Sequence, residues 1–240
     1  SFNFPKVNNL MNLICFIFAR GGSKELKNKN IKKINGKPLI GYTGEFINSL
    51  KFIDKSIIST DSSYYQQIAK KYFLDSFFKR SIKLSGSKIS DIDVVKDSLI
   101  KCERYFNTKF DIIVYLQPTS PIRRKVDFIN ALSRLINKKL DSIWSVSEVN
   151  IKFHPLKQLD FNKNLKYFDQ RGESIIARQQ LNKTYIRNGV FYIITRECIT
   201  KHKSIMGKKS QGYVITKRCF NIDDKNDFID FKKFINENSS

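Results

Sequence analysis

What this chain has little of narrows its class. Of 240 residues only two are histidine, four cysteine, five proline and one tryptophan. The cysteines, at positions 15, 102, 198 and 219, form no C-x-x-C pair, which removes the common zinc and dithiol patterns. Cys15 lies inside an apolar run, so buried thiols of a reducing cytoplasm are expected instead of disulfides. The two histidines stand beside no nucleophile motif, which leaves too little for a Ser-His-Asp hydrolase. No apolar run approaches the ~20 residues of a membrane helix. No secretory signal is visible, and the polar residues ahead of Met11 read in part as an appended segment. Acids are scarce too: 22 against 44 Lys and Arg, a net charge of +22. Such a charge could serve nucleic acid. The lysines are dispersed, however, and no RNA-binding aromatic motif occurs. The charge is read as solvated faces that also attract anionic nucleotides and sugar acids. A basic nucleic-acid-binding protein stays as an alternative.

Hydrophobic residues make up 41%, enough for the core of one domain with a sizeable insertion. The organising stretch is Ile14 to Asn30. Its apolar opening, Ile14 to Phe18, ends at Ala19-Arg20-Gly21-Gly22-Ser23-Lys24. A continuous apolar run bounded by glycine is the pattern of a parallel strand buried on both faces. Two glycines allow a tight turn and close approach to a ligand. Free N–H groups of such a turn, with Arg20, Ser23, Lys24 and Lys29 around them, suit a polyphosphate. The glycine spacing matches neither a Walker loop nor the dinucleotide fingerprint.

Further along, Asn35 to Pro38 reads as a turn with Pro38 opening a helix; Leu39, Thr43, Phe46 and Leu50 form its inner face. A strand is expected at 55–59, then a helix capped by Asp61. A third strand is expected at 74–78, and a helix with Ser90 and Asp93 as its capping box. The strand at 110–116 runs into Gln117-Pro118-Thr119-Ser120-Pro121. Its two prolines hold Gln117, Thr119 and Ser120 stiffly, at the strand end where ligands collect in open α/β sheets. After a strand at 141–147 the character changes. Residues 150–187 lack helical periodicity and read as an inserted subdomain. Within it His154 reads as a turn residue before proline. Asn188-Gly189 reads as a turn ahead of a strand at 190–194. Near the end, alternation points Asn221 and Asp223 to one side and Asp224 away. The alternative is that Asp223 and Asp224 merely cap the last helix.

The pattern Ala19-Arg20-x-x-Ser23-Lys24-x-Leu26-x-x-Lys29-Asn30 resembles the nucleotide-binding signature of the acylneuraminate cytidylyltransferases, the CMP-sialic acid synthetases. Four more segments resemble the same family: Gln117 to Arg123, His154 to Lys157, Arg178 to Gln180, and Asn188-Gly189. The related 3-deoxy-manno-octulosonate enzymes carry an acidic segment where this chain has Gln117-Pro118-Thr119, so that relative fits less well. The resemblance implies a three-layer α/β/α Rossmann-like nucleotidyltransferase with a mostly parallel, mixed sheet. Its core would comprise residues 11–149 and 188–238, with 150–187 as a dimerisation arm. It implies a cytoplasmic, homodimeric, magnesium-dependent enzyme that activates a nine-carbon 2-keto sugar acid with CTP.

On that resemblance Arg20, Lys29 and Asp223 carry the catalysis. Ala19, Arg20, Gly22, Ser23, Lys24, Lys29, Asn30 and Arg80 bind the nucleotide. Gln117, Thr119, Ser120, Lys157, Arg178 and Asn188 bind the sugar acid. Asp223 holds magnesium with Asn221, which stands where the family usually has a second Asp. An Asn oxygen can still ligate a hard cation, without the charge. Ser81 and Arg187 stand where relatives usually have proline. The Asn221 difference keeps a non-catalytic nucleotide- or sugar-binding descendant as a second alternative.

Overall fold

A computed structural model describes residues 11–22, 25–86 and 88–238. The chain runs β1 (Leu13–Phe18), β2 (Lys33–Ile34), β3 (Lys37–Pro38), α1 (Leu39–Asn48), β4 (Lys55–Ser59), α2 (Ser63–Lys70), α3 (Asp91–Phe106) and β5 (Ile112–Leu116). It continues through α4 (Lys125–Asn137), β6 (Ser142–Glu148), β7 (Leu159–Phe161), β8 (Leu165–Tyr167), β9 (Tyr185–Thr195), α5 (Arg196–Thr200), β10 (Ser210–Val214) and α6 (Lys225–Glu237). Six strands form the main sheet in the order β10-β6-β9-β5-β1-β4. Only β9 runs antiparallel to its neighbours.

Strand alternation explains the layers. Cys15 and Ile17 of β1, with Val114 and Leu116 of β5, pack on α1 and α4 through Ile40, Phe46, Phe128 and Leu132. Ile14 and Phe16, with Ile113 and Tyr115, face the other way onto Val95, Leu99 and Cys102 of α3 and Cys198 of α5. A strand buried on both faces must be apolar throughout, and β1 is buried over its first five residues. Each buried aliphatic side chain contributes roughly 1.5–3 kcal/mol. The result is the α/β/α arrangement expected from the sequence, mixed through one late strand.

Five local readings are corrected. Pro38 precedes α1 in extended conformation instead of opening it, and Asn35 and Gly36, with φ of 48° and 79°, turn a small hairpin between β2 and β3. Ser62, not Asp61, caps α2 by accepting from the Tyr65 amide. The segment 74–78 forms only a single parallel bridge, Asp75 with Ile57. Its aromatics turn aside, and Phe77 stacks on Tyr105 with ring centroids 3.9 Å apart. β9 begins at Tyr185, earlier than the strand expected at 190–194. Finally, Asn188-Gly189 lies inside β9 and not ahead of a strand. Two steps along β6, Trp144 to Val146, face five along β9, Tyr192 to Arg187. That bulge loops Asn188 and Gly189 out of the ladder.

Candidate active site

A cleft of about 390 Å³ opens over the carboxyl ends of β1 and β5. In an open α/β sheet this is where a ligand is expected. The loop after β1 supplies Arg20, Lys29 and Asn30. The loop after β5 supplies Gln117, Pro118 and Thr119. The β9 bulge brings Arg187, Asn188 and Gly189, and the segment before α6 brings Asn221 and Asp223.

The first and last of these regions are far apart in sequence yet meet. The Lys29 ammonium donates to Asp223 Oδ1 at 2.6 Å. Asn221 Nδ2 donates to Asp223 Oδ2 at 2.6 Å. An ion pair this exposed contributes only about 0–1 kcal/mol, so it does not hold the regions together. The cause is an apolar cluster beneath it. Leu26, Ile34 and Leu39 from the first region pack against Phe220, Ile222 and Phe231 from the last. The Ile222 amide also donates to the Thr119 carbonyl at 2.8 Å, and Thr119 Oγ1 donates to Asn221 Oδ1 at 3.3 Å. Three segments are thereby fastened at one end of the cleft. Asn221 and Asp223 share it without belonging to a strand. Asp224 takes the capping role, accepting from the Asn226 and Asp227 amides.

Arg80 is 6% exposed, and its Nε and one terminal nitrogen lack a partner among the described residues. Burial lowers its pKa from the ordinary guanidinium range, opposed by Asp61 and Tyr115; Arg20 nearby adds to the lowering. A buried, unsatisfied donor costs about 1–3 kcal/mol, more when charged. An acceptor-rich ligand in the cleft would relieve that cost.

Across the cleft, Gln117 Nε2 donates to the Tyr115 hydroxyl at 3.1 Å, and that hydroxyl lies 3.5 Å from Asp91 Oδ1. Burial raises the Asp91 carboxyl, against the lowering pull of Arg187 and of the Tyr115 hydroxyl. Arg123, half-buried, braces this wall. Its Nε donates to the Val190 carbonyl at 2.7 Å and its two terminal nitrogens to Thr43 Oγ1 at 3.0 Å and the Gln117 carbonyl at 2.6 Å. Gly189 has φ +72°, and a Cβ there would lie 2.5 Å from Gln117 Oε1 and 2.7 Å from Ser120 Oγ. Only glycine meets both demands cheaply.

Arg20, Lys29, Asn30, Arg80, Gln117, Thr119, Asn188, Asn221 and Asp223 thus share one cleft. Other expected residues stand elsewhere. Ala19 is fully buried, its amide donating to the Ser59 carbonyl. The Gly21 amide is not free for a ligand, since it donates to Asp61 Oδ1 at 2.8 Å. Gly22 is exposed outside the cleft wall. Ser23 and Lys24 lie outside the described residues. Ser120 is buried and donates to the Asn188 carbonyl, so it supports the wall from behind. Lys157 and Arg178 lie on the insertion and do not line the cleft. His154 is the turn residue expected: its Nδ1 accepts from the Leu156 amide. Sequence reasoning did not pick out Tyr115, Tyr192 or Arg187 as cleft residues, nor Arg123 as their brace. Their positions follow from strand register and the bulge, which no motif encodes.

Among the described residues, no cluster of three or more His, Cys, Asp or Glu side chains is suited to a metal. No helix there is long and apolar enough to cross a membrane.

The profile of a family described as Cytidylyltransferase matches residues 14–237. The CMP-N,N'-diacetyllegionaminic acid synthase of Campylobacter jejuni is 30% identical over 217 residues, covering 90% of this chain and 92% of that protein. The N-acylneuraminate cytidylyltransferase of Escherichia coli is 32% identical over 218 residues, 90% of this chain but 50% of that longer protein. Among solved structures, a CMP:2-keto-3-deoxy-manno-octonic acid synthetase complexed with CTP superposes with a TM-score of 0.72. It is 14% identical and covers 95% of this chain and 99% of the other, which is a likeness of fold.

Proposed function

Because the chain belongs to the cytidylyltransferase family, we propose that it activates a nine-carbon 2-keto sugar acid with CTP, giving the CMP-sugar and pyrophosphate. The observation that carries this reading is the meeting of Lys29 and Asp223 at 2.6 Å on the rim of the cleft. A loop suited to phosphate and a carboxylate suited to a cation come together there.

On this reading Arg20, Lys29 and Asn30 grip the triphosphate, and Arg80 turns its unsatisfied donors to the nucleotide. Gln117, Thr119 and Asn188 orient the sugar. The anomeric oxygen forms a bond to the α-phosphorus as the α–β bridging bond breaks. Pyrophosphate leaves with that electron pair, and the hydroxyl proton is released. Such a transfer asks the protein for alignment and charge stabilisation more than for covalent chemistry.

For magnesium, Asp223 offers a carboxylate; Asn221 here turns Nδ2 to that carboxylate and Oδ1 to Thr119, so its amide would have to turn over to add a second hard oxygen. Magnesium commonly takes one or two carboxylates and completes its shell with water and phosphate oxygens. Asp223 and Asn221 would hold it, and the ion would supply charge neutralisation at the phosphates. With Asn221 in place of a second carboxylate, binding should lean more on water and phosphate.

The insertion supports a homodimer. Phe153, Phe161, Leu165, Phe168 and Ile176 are each at least 65% exposed there. Apolar side chains gathered on one arm mark a surface that something covers. Lys157 and Arg178 would then reach a sugar from the second copy. A cytoplasmic setting agrees with four free cysteines.

The test is a panel of 2-keto sugar acids with each nucleoside triphosphate and magnesium, read by mass detection. A CMP-sugar formed from CTP with at least one nine-carbon acid is expected. CTP binding without product would indicate a non-catalytic descendant. Salt-sensitive oligonucleotide binding without CTP binding would indicate a nucleic-acid protein.

A further inference from the structure

Two side chains of the cleft share one hydroxyl. Gln117 Nε2 lies 3.1 Å from the Tyr115 oxygen, and Asp91 Oδ1 lies 3.5 Å from it. All three residues line the cleft. A phenol has one proton to give, and an ionised carboxylate can only accept. The charged acceptor is the stronger one, so the Tyr115 proton turns to Asp91. The Tyr115 oxygen is left to accept, and Gln117 must meet it with its NH2 group. A reversed amide would set two acceptors, Gln117 Oε1 and the Tyr115 oxygen, against each other. Burial, with Asp91 nearby, holds the Tyr115 hydroxyl above its ordinary range, so it keeps the proton it donates.

Gln117 Oε1 is thereby committed to the other side. It lies over Gly189, where a Cβ would come within 2.5 Å of it. Ser120 Oγ, also beside Gly189, spends its proton on the Asn188 carbonyl at 3.1 Å. Among the described residues, no donor serves Gln117 Oε1. The main chain of Gln117 is held separately, its carbonyl accepting from Arg123 at 2.6 Å. We propose that Asp91, acting through Tyr115, is a positioning residue: it fixes the sense of the Gln117 amide, so that the amide oxygen is the atom offered to the ligand. The ligand group met there must then be a donor, a hydroxyl or an N–H. The proposal rests on the functional reading above, in which Gln117 orients the sugar, and adds what sets its direction. An acceptor fixed in this way penalises a group that cannot donate, because two acceptors are left facing each other.

The test uses N-acetylneuraminate, N,N'-diacetyllegionaminate and pseudaminate, and continues with whichever acid gives product. Asp91→Asn can turn either end of its amide to Tyr115, so it no longer dictates the sense. It should raise the KM for the sugar acid about 3–10-fold, the scale of one hydrogen bond, and leave the KM for CTP within about twofold. Tyr115→Phe should do the same. The double variant should be no worse than Tyr115→Phe alone, since both changes interrupt one relay. Gln117→Glu sets two carboxylates competing for one proton and should lose at least tenfold in kcat/KM. Adding Asp91→Asn should recover part of that loss, because the hydroxyl can then turn to the new carboxylate; a merely structural Asp91 would give no such rescue. Effects of Asp91→Asn and Tyr115→Phe that multiply overturn the proposal, as does the absence of rescue or a rise in the KM for CTP alone. Product from none of the three acids overturns the functional reading. The relay is then judged in the free protein, where the NMR signals of the Gln117 side-chain amide should shift in both Asp91→Asn and Tyr115→Phe; unmoved signals overturn it.

Discussion

Two regions of this molecule handle their apolar side chains in opposite ways. Where the loop after β1 meets the segment before α6, Leu26, Ile34, Phe220 and Ile222 are all at most 7% exposed, and the polar groups above them are held within one chain. On the insertion, Phe161 is 76%, Phe168 73% and Ile176 93% exposed. Its polar residues Lys157 and Arg178 meet nothing in the cleft. A buried apolar base positions functional side chains by itself, since close-packed interiors leave little freedom above them. An uncovered base leaves that positioning to whatever covers it.

The comparison can be broken at several points. Asp223→Ala should lower kcat/KM on the order of a thousandfold, about 4 kcal/mol, in magnesium-dependent pyrophosphate release. Unchanged turnover would remove the self-contained region from the chemistry. Arg80→Met should raise the KM for CTP ~10–100-fold, the scale of a lost charge-assisted hydrogen bond, while thermal stability holds or rises because buried unsatisfied donors are gone. Gly189→Ala should destabilise by roughly 1–2 kcal/mol through its positive φ, read by urea titration, with KM for the sugar acid rising as Gln117 is displaced. On the insertion, Phe161→Ser combined with Phe168→Ser should change unfolding by no more than about 0.5 kcal/mol, as exposed substitutions do. The same pair should weaken self-association tenfold or more by sedimentation. A large stability loss without any change in association would mean that the arm is finished within one chain.

Much of the core was legible because its signals are local. β1 and β5 are uninterrupted apolar runs, and α3 announces itself through Ser90, which accepts from the Asp93 amide, and through Val95, Leu99 and Cys102 at helical spacing. β10 was not legible: Ser-Gln-Gly-Tyr-Val has no apolar run, and it is a strand because β6 offers it an edge. At the expected strand 74–78, Phe77 turns instead to stack on Tyr105 and to meet Phe106 and Phe78 edge-on. In the site, Lys29, Arg80, Gln117 and Asp223 could be named through the resemblance, since each stands in a motif. Arg187 and Tyr115 could not, because a residue's side of a bulged strand depends on its register with β6 and β5. Arg123 looked like the end of a turn motif. Its role as a three-way brace appears only when the Gln117 and Val190 carbonyls are brought beside it.

The central claim is that Lys29 and Asp223 meet around a nucleotide's phosphates. Calorimetric titration of CTP into wild type and Lys29→Ala tests it most directly. The account predicts saturable binding by wild type and affinity at least tenfold weaker in the variant. Superimposable titration curves would contradict it.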